Sequence, residues 1–237
     1  MFFKKSRFWL CLIFGFLFVA VAGSSDLNSL AANGQNLRAD ISSFLKAGCV
    51  QEGEQLNCSK IQLNEKFGCQ EIIIPPKALG GVSPKVSIGE CRFVNRGDTS
   101  EGISRKGCRL PLYNQYIVYT NGEFKALKNA EEFRKFFGPV DTAEEALSFA
   151  VALTNSYAAY NVKPPKGYRV YVDKIKETEV KKIKDGYQVR LFDYQRCGCG
   201  PHPYFAVEYE VTKSGEVKEI SRQKIYENPQ QDGLCVD

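Results

Sequence analysis

The stretch Phe205-Ala206-Val207-Glu208-Tyr209-Glu210-Val211-Thr212 alternates apolar and polar side chains and runs into Ser214-Gly215. A period of two places Phe205, Val207, Tyr209 and Val211 on one face of an extended strand, and the Ser-Gly pair marks a turn after it. The pattern recurs at Tyr187-Val189-Leu191 behind Asp185-Gly186, at Tyr168-Val170-Val172, and from Val217 onward to Tyr226. Strands this close in sequence, joined by tight turns, pair antiparallel. The alternation predicts a sheet of about four strands with one wet face and one covered face.

The cover is predicted immediately upstream of Pro164-Pro165, where the period is helical. Asn129 with Glu132 has the form of a capping box ahead of Phe133, Phe136 and Phe137, and Gly138 stops the helix. Asp141 with Glu144 repeats the device before a helix running to about Thr154, with Ala146, Phe149, Ala150 and Leu153 on one face. Earlier still, Tyr116-Ile117-Val118-Tyr119-Thr120, Asn121-Gly122 and Glu123-Phe124-Lys125 read as a hairpin whose turn needs positive φ. Residues 48–111 are rich in Gly, Pro and Cys and carry short apolar pieces such as Ile72-Ile73-Ile74. They read as an irregular segment with short strands held by disulfides. Leu27, Leu30, Leu37, Ile41, Phe44 and Leu45 recur at helical steps and end at Gly48, with Asn33-Gly34 as a point where that helix can break.

The expected fold class is therefore α+β: an N-terminal helix and a disulfide-rich irregular segment, then helices packed on a C-terminal antiparallel sheet. The expected organisation is a signal peptide over 1–22, a helix plus cysteine-rich segment with hairpin over 23–128, and a helix-plus-sheet domain over 129–237.

Ala143-Glu144-Glu145-Ala146-Leu147, then Asp185-Gly186-Tyr187-Gln188-Val189, then Val207-Glu208-Tyr209-Glu210-Val211-Thr212 with Gly215-Glu216-Val217, resembles PepSY-type domains of the bacterial envelope. The resemblance spans residues 141–226. It implies an alanine-rich helix against an antiparallel sheet, in the broader style of cystatin-like folds. It further implies binding or restraint of proteases and peptides, with no catalytic residues. The Cys197-Gly198-Cys199-Gly200-Pro201-His202 connection departs from that pattern, as does everything before residue 129.

The start of the chain predicts export. Lys4, Lys5 and Arg7 precede an uncharged run from Phe8 to Val19, and Ala20-Val21-Ala22 leads into Gly23-Ser24-Ser25. A basic head, a short apolar middle and Ala-x-Ala form a secretory signal, with a retained membrane anchor as the alternative. The expected destination is a bacterial periplasm, the cell envelope or the medium. Cleavage removes three cations and no acid, so the formal charge falls from +5 to +2. A charge that small implies no nucleic-acid partner, and contact with a membrane only transiently through the signal.

Eight cysteines follow the signal: Cys49, Cys58, Cys69, Cys91, Cys108, Cys197, Cys199 and Cys235. An even number in an oxidising compartment points to disulfides. Five fall before residue 109 and three after 196, so complete pairing within the chain requires at least one bridge between the groups. Cys197 and Cys199 are too close to bond to each other without strain and reach different partners, with Cys235 a natural candidate for one.

The same stretch holds the one histidine, His202. Cys197, Cys199 and His202, with Cys235 as a fourth ligand, form an alternative copper(I) or zinc set, or a thiol-redox centre. Export favours the structural-disulfide reading, with no metal and no cofactor. A zincin site needs two histidines and is excluded. Arg96-Gly97-Asp98 reads as a polar turn. Asn57-Cys58-Ser59 is a glycosylation acceptor only in a eukaryotic host, and tyrosines such as Tyr157, Tyr160 and Tyr168 suit half-buried strands or a binding groove. The functional expectation is a non-catalytic exported domain that binds a protein or peptide.

Overall fold

The computed structural model describes residues 37–94, 102–109 and 112–237. The signal segment, Arg96-Gly97-Asp98 and the start of the expected N-terminal helix lie outside them. Fourteen strands and four short α-helices are present among the described residues.

Seven strands form the first sheet: β1 (Val50–Glu52), β2 (Gln55–Asn57), β3 (Glu71–Ile73), β4 (Ser87–Val94), β5 (Ser104–Lys106), β6 (Leu112–Thr120) and β7 (Glu123–Leu127). Their order is β1-β2-β3-β4-β6-β5, with β7 also paired to β6. The second sheet holds β8 (Arg169–Val170), β9 (Glu179–Ile183), β10 (Gly186–Tyr194), β12 (Tyr204–Thr212) and β13 (Val217–Glu227), in the order β8-β13-β12-β10-β9. A two-stranded ribbon pairs β11 (Gly198–Cys199) with β14 (Cys235–Val236). Every pairing between these strands is antiparallel.

This overturns the expected architecture of helices on a four-stranded sheet. The protein is mostly β, and the cysteine-rich segment is the greater part of a seven-stranded sheet. Four of its five strands have only three residues and join one sheet through β4 and β6, which no local pattern announces. The second sheet has five strands, because Glu179–Ile183 pairs with β10 across the Asp185-Gly186 turn. Of the Tyr168-Val170-Val172 run only Arg169–Val170 is paired, to the end of β13.

The hairpin forms as its turn chemistry requires, with Asn121 at φ 53° and Gly122 at φ 83°. Strand β6 is buried from Asn114 to Val118, on both faces. Tyr116 and Val118 enter the core toward the second sheet, while Ile117 joins a separate cluster with Phe44, Leu56, Ile72 and two disulfides. A continuous apolar run is what a strand covered on both sides needs.

The helices are α1 (Ser42–Ala47), α2 (Leu63–Phe67), α3 (Ala130–Phe137) and α4 (Ala143–Leu153). No helix among the described residues is long and apolar enough to cross a membrane. Residues 37–41 are not helical; Asp40 bridges to Ser87 instead, and its carboxylate accepts from Ser42 and Ser87 to open α1. Helix α3 is capped by Asn129 accepting from the Glu132 amide at 2.9 Å. The second capping box lies one residue beyond the expected one: Thr142 accepts from the Glu145 amide, and the Glu145 carboxylate accepts from the Thr142 and Asp141 amides. Thr followed at the third position by Glu supplies both halves of that box.

Helix α4 is buried on every side from Glu145 to Ala152, not on one face. It lies in the core shared by the two sheets, among Ile88, Tyr116 and Val118 of the first and Val189, Leu191 and Val207 of the second. A helix that is apolar all round marks burial between layers. The Tyr116 hydroxyl donates to the Ala152 carbonyl (3.3 Å) and the Tyr187 hydroxyl to the Asp141 carbonyl (2.5 Å), so both sheets bond to this helix's main chain or its approach. Ser148, buried within the helix, accepts from the Gly81 amide (2.9 Å) and donates to the Ala78 carbonyl (2.6 Å). A Cβ at Gly81 would sit 2.2 Å from the Glu144 carbonyl oxygen, so only glycine permits that approach. The core therefore runs continuously across residue 128.

Candidate functional site

The two sheets and the segment after α4 leave a cleft of about 610 Å³ at one edge of the shared core. Arg92 of β4 and Leu112 of β6 approach from the first sheet, Asp193 and Tyr194 of β10 from the second, and Tyr157 from the connecting segment. Arg196 and Cys197 close the rim. Alternation along β10 explains the placement: Tyr187, Val189 and Leu191 fill the core, and Asp193 is the next residue on that face, where the core gives out. Tyr157 is held by two main-chain hydrogen bonds with Phe192, at 2.8 and 2.9 Å.

Most of the charges lining the cleft have partners. The Arg92 guanidinium donates to Glu90 (3.0 Å) and Glu71 (3.2 Å). Burial alone would lower the Arg92 pKa, but these two carboxylates outweigh it and raise it, so the cation persists. Asp193 accepts from Arg222 at 2.6 Å, and Arg222 also grips Glu219, the contact that does most to hold its pKa above the ordinary value. Burial, helped by the neighbouring phenols of Tyr226 and Tyr204 and by Asp193, raises the Tyr157 pKa well above that of a free phenol, so its hydroxyl remains a donor. Arg196 is exposed and has no acid in contact among the described residues.

All eight cysteines among the described residues are paired: Cys49–Cys58, Cys69–Cys91, Cys108–Cys197 and Cys199–Cys235. Cys108–Cys197 joins the early group to the late one, linking the first sheet to the rim of the cleft. Cys199–Cys235 pins the chain terminus across the β11–β14 ribbon. The proposed metal set is therefore dispersed, because the sulfurs of Cys197, Cys199 and Cys235 are all consumed in bonds. His202 is buried, and its ring nitrogens face the Gln195 carbonyl at 3.2 Å and the Leu234 carbonyl at 3.1 Å. It fastens the terminal segment to the loop that forms the rim.

Other candidates separate. Asn57 is exposed, but its side chain is engaged with Glu52 and Ser59, and Cys58 is bonded to Cys49. Among the tyrosines, Tyr157 and Tyr194 line the cleft, Tyr116 and Tyr187 belong to the core, and Tyr168 packs near Tyr226. Sequence reasoning missed Arg92, Asp193, Tyr194 and Arg196. No motif marks them, since Arg92 on β4 lies about a hundred residues from Asp193, Tyr194 and Arg196 at and just past the end of β10. The only available signal was the parity of the cysteines, which required some bridge between the two groups.

No family model, curated protein or solved structure matches this chain.

Proposed function

We propose that this protein is an exported, non-catalytic, disulfide-stabilised domain that holds a segment of another protein or a peptide in the cleft between its sheets. The observation that carries the reading is the cleft itself: about 610 Å³, with aromatic and aliphatic walls, a few fixed polar groups and a covalent clasp at the rim. That size and mixture suit ligand recognition. A non-catalytic role is supported by the state of the usual catalytic groups. The one histidine is tied to two carbonyls, and the cleft-lining Cys197 is in a disulfide. Export is supported by the signal-like start of the chain and by four disulfides, which persist in oxidising compartments. The PepSY-like reading of residues 141–226 belongs to the same proposal; α4 against the second sheet is what supports it.

The test is selection of peptides from a displayed random library on the immobilised oxidised protein, followed by amide chemical-shift mapping of the enriched sequences. Shifts centred on Tyr157, Tyr194 and Arg196 are expected. Failure to enrich any peptide, or shifts confined to the far end of either sheet, overturns the proposal.

A further inference from the structure

The four disulfides differ in how far a solvent-borne thiol can reach them. Cys49, Cys58, Cys69 and Cys91 are buried in the cluster around Phe44. Cys197 is exposed and lines the cleft, while its partner Cys108 is half-buried and follows Gly107, which also lines it. Among the described residues β5 pairs with β6 alone and β11 with β14 alone, so no strand ladder joins the two sides of the rim there. A glycine stands beside each half-cystine, Gly107 at φ 82° and Gly198 at φ 97°, which leaves both with wide backbone freedom. The shared core around α4 contains neither of them. Cys199–Cys235 is exposed as well, but the Gly200 amide and the His202 ring both hold Leu234, so its ribbon keeps non-covalent ties when that bond is cut.

From an accessible bond at the cleft's rim, set in a fold whose core lies elsewhere, we infer that Cys108–Cys197 is a reducible clasp: a dithiol cuts it and opens the cleft. A thiolate of the reductant attacks the exposed Cys197 sulfur, and the Cys108 sulfur leaves and takes up a proton. The reductant's second thiol then attacks the mixed disulfide and frees Cys197. Two electrons and two protons pass to the protein, and the reductant ends as a disulfide. Gly107 and Cys108 then part from Gln195, Arg196 and Cys197, and the cleft loses one wall. The inference rests on the cleft reading above and gives that site a regulation.

The full-length oxidised protein is exposed to dithiothreitol at neutral pH without denaturant, and samples are alkylated at intervals and mapped by mass spectrometry. Cys108 and Cys197 should be modified at least tenfold sooner than Cys49, Cys58, Cys69 and Cys91. In the protein so reduced, amide exchange should quicken at least tenfold at Ser104–Lys106 and Gln195–Cys197, while β4, β10 and β12 keep their protection. The Cys108→Ser/Cys197→Ser double variant should show the same exchange pattern with no reductant. Alkylation of all four pairs together, or rim exchange unchanged once Cys108 and Cys197 are modified, overturns the clasp. Both readouts work without a ligand, so they judge the clasp separately from the peptide selection, which judges the cleft reading. A peptide that selection yields should bind the reduced form at least tenfold more weakly, and equal binding by both forms overturns the regulation.

Discussion

The two disulfides of the first sheet and the two that reach the carboxy-terminal region sit in opposite settings. Cys49, Cys58, Cys69 and Cys91 are buried in the cluster around Phe44, and their bridges span sequence separations of 9 and 22. Cys197, Cys199 and Cys235 are exposed, and their bridges span 89 and 36. The first pair substitutes for apolar side chains in a layer too thin to fill itself. The second pair closes long loops where little core exists to hold them. The same covalent bond thus serves packing in one region and tethering in the other.

The largest predicted effect tests the tether. Replacing Cys108 and Cys197 together with Ser releases the longest loop, and loop-closure entropy puts the loss at about 4–5 kcal/mol. Urea denaturation of the double variant measures it. A loss smaller than that of the Cys49 and Cys58 double variant would reverse the comparison.

Replacing Cys49 and Cys58 with Ala opens a short loop, with an entropic loss of about 2–3 kcal/mol. The Ser pair should lose more than the Ala pair, because it places two hydroxyls in an apolar cluster. If Ser and Ala pairs unfold at the same urea concentration, those sulfurs are not acting as core atoms.

His202 sharpens the contrast at a finer scale. His202→Phe removes the ring that bridges the Gln195 and Leu234 carbonyls, at a cost of about 1–3 kcal/mol, while Leu234 keeps its bond from the Gly200 amide. Amide exchange should quicken at Gly200, which donates to Leu234, while β4 and β6 stay protected. Equal loosening of both sheets would mean that the terminal ribbon is integral to the core.

The smallest effect is on the acid side. Burial would raise the carboxyl pKa of Glu227, but contacts from Lys224 and Tyr171 outweigh it and hold it below the ordinary 4.5. Asp40 is likewise held below 3.8 by hydrogen bonds from Ser87 and Ser42 that exceed the opposing effect of burial. A depressed carboxyl contributes stability that is complete above its unfolded pKa and is lost as pH falls through the folded one. Thermal transitions should therefore hold steady from pH 7 to about 5 and drop below about 4. Glu227→Gln should flatten that drop; an unchanged acid limb would refute the role of Glu227.

Much of the local structure was legible. The Asn121-Gly122 hairpin, the Asn129 cap and strands β10, β12 and β13 follow from turn chemistry and period. The misreadings were of two kinds. Helix α4 was read as one-faced because its small residues (Ala146, Ala150, Ala152) look like a weak stripe, when they let two layers approach. Residues 48–111 were read as irregular because four of their five strands have three residues and carry no period to detect. The cleft was not legible at all, since Arg92 and Arg196 come to line one cleft only when β4 and β10 pack on the same core.

By itself the sequence determined the elements whose cause lies within a few residues: caps, turns, alternating strands, the even set of cysteines and the need for one bridge between the two groups. The tertiary structure alone decided which cysteines pair, that the short strands join one seven-stranded sheet, and where the cleft opens. The physical reason is range. Caps and turns are settled by hydrogen bonds between near neighbours, whereas sheet pairing, burial of α4 on both sides and the lining of the cleft depend on contacts between segments that meet only after the chain has folded.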